Sequence, residues 1–209
     1  MQIVDLIRAG LSQFSFPTDD ELTEKSAAFI EQLARWNKIF NLTAIRRPGD
    51  MVVHHLLDSL SIAPYLPGTR IIDVGSGAGL PGIPLAILYP GKNFILLDSN
   101  GKKTRFMTQV AIELELSNVA VVQSRVEQYR DQQFDHVLCR AFAPLAVIAE
   151  KVSHLVRNQG NVLAMKGKYN EDPEPEPSSK LQVHQVIPIS VPLLDADRCL
   201  VELKYRNNT

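Results

Sequence analysis

Residues 71–87 read IIDVGSGAGLPGIPLAI, and the fold follows from that stretch. Ile71, Ile72 and Val74 form a β-branched apolar run that reads as a buried strand. Gly75, Gly77 and Gly79 break it, and the apolar segment behind Pro81 reads as a helix. Strand, glycine turn and helix in that order predict an α/β unit. Glycines at alternate positions allow positive φ and close approach of a ligand to the backbone, while the helix start offers free N–H groups.

The spacing selects among nucleotide-like ligands. The dinucleotide fingerprint needs glycines at 75, 77 and 80, but position 80 is Leu80, and the pattern is Asp73-x-Gly75-x-Gly77-x-Gly79. S-adenosylmethionine carries an ammonium and a sulfonium and no phosphate, so Asp73 just before the turn suits it better than a pyrophosphate. A second strand, FILLDS, ends at Asp98, 23 residues after Gly75, near the distance at which an acid reaches adenosine ribose hydroxyls. Turn and two acids together resemble the Rossmann-like methyltransferases.

At 209 residues with 45% hydrophobic content the chain suits one α/β domain with an appendage. Its organisation is expected to be a helical extension over 1–66 packed on a methyltransferase domain over 67–209. No apolar run approaches membrane-spanning length, and Asp5 interrupts MQIVDLIRAG where a signal peptide needs an apolar core, so a soluble cytoplasmic monomer is expected. The two cysteines, Cys139 and Cys199, lie far apart, and the five histidines lack metal-ligand spacing. Neither disulfide nor metal is predicted. A net charge of -1 provides no global attraction for nucleic acid, which leaves a local basic rim or shape as the means of contact.

Taken in order, Ile3, Leu6, Ile7 and Leu11 predict a helix over 2–14, ended by Pro17. Thr18-x-x-Glu21 reads as a capping box for a second helix whose apolar face runs through Leu22, Phe29, Leu33, Trp36 and Phe40, all expected in the core. Asp50 is expected to cap a segment placing Val53, Leu56, Leu57 and Leu60 on one face, beside a loop carrying Arg46 and Arg47. That segment, with His54, His55 and Asp58, reads equally as a substrate-side wall or as a solvated loop with a local ion pair. After Asp98, Asn100-Gly101 turns into a helix over 102–115. Lys102, Lys103 and Arg105 in its first turn oppose the helix dipole, which points to phosphate contact. A third strand at 119–122 leads to Arg125, Val126 and Glu127, and ligands bind where such strands end, so the backbone of Val126 and Glu127 is a candidate for the adenine edge. A fourth strand (134–142) brings Arg140 to the same edge, and a helix from Pro144 to about Arg157 precedes a fifth strand, NVLAMKG. Lys166 and Lys168 extend the basic rim. NEDPEPEPSS (170–179) is expected to be a mobile connection, and LQVHQVIPI and CLVELKY a hairpin completing a mostly parallel, seven-stranded mixed sheet.

Methyl transfer from a sulfonium is an in-line displacement that needs a base only when the nucleophile carries a proton. The place after the fourth strand reads CRAFAPL rather than the Asp/Asn-Pro-Pro-aromatic turn that holds exocyclic amines, which disfavours amine methylation. Cys139 lies within a strand and reads as a core residue rather than the nucleophile of cytosine carbon methylation. A ring nitrogen with a free lone pair, such as guanine N7, fits a site with arginines and lysines and no evident base.

Several motifs in order then carry a specific likeness: NLTAI (41–45), His55-Leu56-Leu57-Asp58-Ser59, the glycine stretch, LLDSNGKKTRF, SRVE (124–127), CRAFA (139–143) and MKG (165–167). The chain resembles the small-subunit ribosomal RNA methyltransferase G (GidB) family from the second helix to the fifth strand. The resemblance implies methylation of N7 of one guanine in the 530 loop of 16S ribosomal RNA, naked or in the 30S subunit, with S-adenosylmethionine as donor. It implies cofactor contacts at Gly75, Leu80, Val126, Glu127 and Arg140, added to Asp73, Gly77, Gly79 and Asp98. Arg140 is expected to position substrate, with no general base. Arg46, Arg47, Lys102, Lys103, Arg125 and Lys166 are the expected RNA contacts. Cys139 departs from the family pattern, where a serine precedes Arg-Ala-Phe. A small-molecule methyltransferase and a non-catalytic assembly factor that holds the cofactor stay open as alternatives at this point.

Overall fold

A computed structural model describes residues 2–169 and 173–206. Helix α1 (Ile3–Leu11) buries Ile7 and Leu11. Helix α2 (Asp20–Phe40) is capped by Asp19, whose side chain accepts the Leu22 N–H at 2.7 Å, so the cap falls one residue after the Thr18 expected from the capping-box pattern. The carboxylate wins because a charged acceptor at a helix start binds the free amides more strongly than a hydroxyl. Leu22, Phe29 and Leu33 enter the core as expected, whereas Trp36 is half-buried and Phe40 is left partly in solvent.

A third helix, α3, is continuous from Pro48 through an α-helical turn (Pro48–Met51), a π-helical segment (Val52–Leu57) and a final turn (Asp58–Leu60). It starts at Pro48, with Asp50 inside its first turn rather than at its cap. Proline suits that first position because its missing N–H has no partner to lose. The wider π turn shifts the buried set, so Val52 is fully buried and Val53 only partly.

The sheet comprises β1 (Arg70–Val74), β2 (Asn93–Asp98), β3 (Val119–Gln123), β4 (Phe134–Arg140), β5 (Val156–Lys166), β6 (Leu181–Pro188) and β7 (Cys199–Tyr205), in the order β3-β2-β1-β4-β5-β7-β6. The first five of these run parallel to one another, and β7 inserts antiparallel between β5 and β6. Helices α4 (Gly82–Leu88), α5 (Gly101–Glu113) and α6 (Leu145–Val152) connect the parallel strands. The expected helix to Arg157 stops at Val152, because Val156 is already paired with Phe134 and the chain has joined the sheet. Residues 173–176 run without regular structure; 170–172, part of the expected mobile connection, lie outside the described residues.

Side chains alternate across this sheet. Ile71 packs with the layer formed by the N-terminal helices, α4 and α5, while Ile72 and Val74 face the layer of α6. Leu138 shares the first layer and Val137 and Cys139 the second, so Asp73 and Arg140, in phase with Ile71 and Leu138, face the N-terminal helices. Cys139 is a buried core residue, and burial pushes its thiol well above the ordinary range, as the strand reading expected. Strand order reverses between β1 and β4, which opens a crevice outside their carboxyl ends.

Candidate functional site

Three chain segments converge in that crevice. The glycine turn leaves β1 and is pinned to its neighbour, because the Gly75 and Ser76 amides both donate to the Leu97 carbonyl, at 2.8 and 3.1 Å. Gly75, Gly77 and Gly79 all have positive φ, of +70°, +60° and +76°, which explains the choice of glycine at each. At Gly75 space is also limiting, since a Cβ there would lie 2.6 Å from the Phe142 ring. Ala141, beside it, takes φ 49°, a conformation costly for a residue with a Cβ, at the point where β4 enters the crevice.

The resulting cleft has two lobes. One, of ≈ 270 Å³, is lined by Gly75, Asp98, Lys103, Arg125, Val126 and Glu127 among others, with Phe142 and Lys151. The second, of ≈ 180 Å³, is lined by Gly75, Gly77, Leu80 and Arg140, together with Leu42 and Thr43 from the loop after α2. Gly75, Lys103 and Ala141 belong to both. A larger groove of ≈ 700 Å³ runs along α1 and α2, but no residue of a strand end lines it.

Asp98 holds the first lobe together. Its carboxylate accepts the Gly77 N–H at 2.9 Å and the Asn100 N–H at 2.8 Å, with Lys103 Nζ 4.0 Å away. Lys103 therefore answers a carboxylate as well as opposing the dipole of α5. Asn100 caps that helix by accepting the Lys102 N–H at 2.9 Å, and Lys102 itself is exposed. Glu127 pairs with Lys151 of α6, which holds its carboxyl below the usual range. Lys151 has no sequence signal, since only the packing of α6 brings it there.

Asp73 lies differently from the expectation. It is fully buried beneath the turn and lines neither lobe. One oxygen accepts the Gly82 N–H at 2.9 Å at the start of α4, and the other has no hydrogen-bond partner. Burial raises its pKa to about 7, against the opposing pull of that amide. Gly79 likewise lines neither lobe; a Cβ there would meet Ile83 at 2.3 Å, so it serves the packing of the turn.

Arg140 lines the second lobe, and its guanidinium is taken up by the N-terminal layer. Nε lies 3.4 Å from Asp58, and Nη2 donates to the His54 carbonyl at 2.7 Å and lies 3.2 Å from His55 Nδ1. Both ring nitrogens of His55 are engaged, since Nδ1 also lies 3.1 Å from the His54 carbonyl and Nε2 pairs with Thr43 Oγ1 at 2.8 Å. Burial beside Arg140 lowers the His55 pKa to about 4, so the ring is neutral. Thr43 is held in turn by Asn37, whose side chain accepts the Thr43 N–H and donates to the Ile45 carbonyl, both at 2.9 Å. Asp58 completes the chain by pairing also with Arg198 at 2.9 Å, 140 residues away in sequence. The segment that read equally as wall or solvated loop is divided: Arg46 and Arg47 lie on a solvated loop with Arg47 3.8 Å from Asp50, while His55 and Asp58 belong to a buried polar network behind the second lobe.

Of the remaining basic residues, Arg125 lines the first lobe and Lys166 donates to the Ala143 carbonyl at 2.9 Å beside it. Arg46 and Arg47 are exposed on the loop whose Leu42 and Thr43 line the second lobe, and neither lines a lobe itself.

The cleft fits an adenosine sulfonium: an enclosed carboxylate with an orphaned oxygen lies under the turn, Gly75 at the turn has no room for a Cβ, and Asp98 stands at the end of β2. Comparison with known proteins agrees. The profile of the family described as "GidB: rRNA small subunit methyltransferase G" matches residues 22–201. The chain is 43% identical over 205 residues to Ribosomal RNA small subunit methyltransferase G of Psychromonas ingrahamii, covering 98% of this chain and 99% of that one. It is 45% identical over 202 residues to the protein of the same name from Vibrio vulnificus, covering 96% of each. Among solved structures, magnesium protoporphyrin IX methyltransferase of Synechocystis PCC 6803 with bound SAM superposes with a TM-score of 0.57 at 17% identity, over 92% of this chain and all of that one. Mitomycin 7-O-methyltransferase superposes with a TM-score of 0.61 at 13% identity, over 90% and 67%. These two likenesses concern the fold.

Proposed function

The chain belongs to the rRNA small subunit methyltransferase G (GidB) family, and from that premise we propose that it methylates N7 of one guanine in the 530 loop of 16S ribosomal RNA. It is an S-adenosylmethionine-dependent methyltransferase. When bound, S-adenosylmethionine supplies an electrophilic methyl on its sulfonium. The observation that carries the reading is the composition of the second lobe, whose lining contains arginine, lysine, small and apolar residues and no carboxylate or imidazole. A nucleophile that had to lose a proton would need a base there. A ring nitrogen lone pair needs only alignment, which is what a cleft of fixed shape provides.

In this reading the backbone of Val126 and Glu127 faces the adenine, Asp98 the ribose, and the Gly75–Gly77 turn the amino acid tail. Asp73 acts through its charge beneath the turn rather than by touching the donor. Leu80 and Arg140 border the place where methyl and guanine meet. Arg140, tied to Asp58 and His55, presents a rigid cation that can hold guanine O6 or a phosphate while N7 stays free. Residues 1–66 form a helical extension packed on the domain over 67–209, its segment 41–66 the substrate-side wall, and the basic residues at the rim, Arg46, Arg47, Lys102, Lys103, Arg125 and Lys166, supply contact with phosphate that the net charge of the chain does not. No described helix is long and apolar enough to cross a membrane, and a cytoplasmic enzyme acting as a monomer on the small subunit accounts for these features.

Undermethylated 30S subunits and 16S RNA incubated with the protein and methyl-labelled donor provide the test. Label at a single guanine N7 is expected. Label confined to a small metabolite, or none, overturns the reading.

A further inference from the structure

The last turn of α2 carries an apolar pair that folding leaves in water. Ile39 is 70% exposed and Phe40 38%. Helical spacing alone would have taken Phe40 into the core with Phe29 and Leu33, so its exposure marks where the neighbouring layer ends. The ring is nevertheless held in place. Trp36 packs against it in a tilted arrangement at 5.2 Å between centroids, and Trp36 is itself set edge-on against buried Phe106 at 5.6 Å. A supported aromatic ring with part of its surface in solvent is a platform.

The surroundings of this platform are basic and fixed to the site. Lys38, Arg46 and Arg47 are exposed. Asn41, in the left-handed conformation at φ 50°, turns the chain back, and its side chain accepts from Arg46 at 3.4 Å. Asn37, in the same helix turn, clamps the loop through Thr43 and Ile45. Two and three residues beyond Phe40, Leu42 and Thr43 line the second lobe. Ring, Arg46 and lobe therefore belong to one continuous segment, with Lys38 at the edge of the groove along α1 and α2 and Arg47 next in the loop.

We propose that Ile39 and Phe40 with Lys38, Arg46 and Arg47 form a docking surface for an unpaired RNA nucleotide flanking the one that enters the cleft. Its base stacks on Phe40 against Ile39, and its phosphates meet the cations. Single-stranded RNA is recognised through bases splayed onto aromatic rings with basic groups along the backbone, and this segment offers both. Asp50 lies 3.8 Å from Arg47 and offsets part of its charge, but Lys38 and Arg46 face solvent and a second copy of the chain would set like charges against like, so the polyanion is the occupant that the charges favour. The inference rests on the RNA-substrate reading.

The chain has one tryptophan, Trp36, whose ring contacts Phe40, so docking is visible in its fluorescence. An RNA hairpin with an unpaired guanine-containing loop should quench Trp36 in the wild type and not in Phe40→Ala. With undermethylated 30S subunits, Phe40→Ala and Ile39→Ser should raise KM roughly five- to hundredfold, in KM rather than kcat. Donor affinity by calorimetry should hold, and Phe40→Tyr should restore KM. Arg46→Ala should lower the slope of log affinity against log salt by about 1. Ile39 is exposed enough that its serine variant tests the surface without loss of folding. Unchanged KM in both variants, with methylation intact in the wild type, overturns the docking surface alone; so does loss of self-association in Ile39→Ser at unchanged KM. Absence of RNA methylation by the wild type overturns the functional reading instead, and the quenching titration then decides the surface independently: no quenching refutes it.

Discussion

Replacing Asp73 with asparagine probes the charge beneath the glycine turn. The carboxylate is enclosed, one oxygen has no partner, and burial moves its pKa from 3.8 to about 7. In the unfolded chain the group ionises near its ordinary value. Between about pH 4 and 7 the native state therefore holds a proton that the unfolded state has lost, and stability falls as pH rises. At about 1.4 kcal/mol per unit the loss reaches roughly 4 kcal/mol above pH 7. Asparagine keeps an acceptor for the Gly82 N–H and carries no charge. The stability of Asp73→Asn relative to wild type should accordingly gain about 3 kcal/mol between pH 4.5 and pH 8, read from urea unfolding at each pH. The same charge is proposed to attract the donor's ammonium and sulfonium, so calorimetry at pH 8 should find S-adenosylmethionine bound about tenfold more weakly by the variant. Wild-type affinity should climb with pH to about 7 and then level off, a rise absent from the variant. A stability difference that does not change with pH, together with equal donor affinity, would refute the argument.

Three further outcomes follow from the same geometry. Gly75→Ala places a Cβ 2.6 Å from Phe142 at φ +70°, so about 1–2 kcal/mol of stability should be lost and the displaced ring should abolish donor binding in calorimetry; normal binding would show that the cleft is elsewhere. Asp58→Asn leaves the Arg140 and Arg198 guanidinium groups without their shared carboxylate and should cost about 3–5 kcal/mol, against about 1–3 kcal/mol for Arg198→Met. The reverse order in urea unfolding would sink the network. His55 has its pKa depressed to about 4, so its contribution is complete above pH 6.5 and is lost as pH falls, by roughly 3 kcal/mol. Its ring resonances should titrate near pH 4, and a midpoint near 6.5 would refute its buried neutral state. This slope opposes that of Asp73 between pH 4 and 6.5, so Asp73→Asn should unmask the His55 trend.

Most of the elements and the class of ligand were legible before any folding was considered. A β-branched run at Ile71, Ile72 and Val74, three glycines and a helix start are local facts, because φ preferences and side-chain periodicity act between near neighbours. The acid at the end of β2 was legible for the same reason, since strand length and the crossover set its distance from the turn. Some local readings still slipped: Thr18 loses the cap to Asp19, and a π segment trades Val53 for Val52, because cap strength and a widened turn are settled by a few hydrogen bonds that spacing does not encode. Only the tertiary structure decided that Asp73 lies under the turn, that Phe40 overhangs the last layer of the core, that Lys151 answers Glu127, and that Arg140 joins Asp58, His55 and Arg198. Those pairings span up to 140 residues. Their energies depend on strand register and on burial, which exist only once the layers have closed and water has left the space between them.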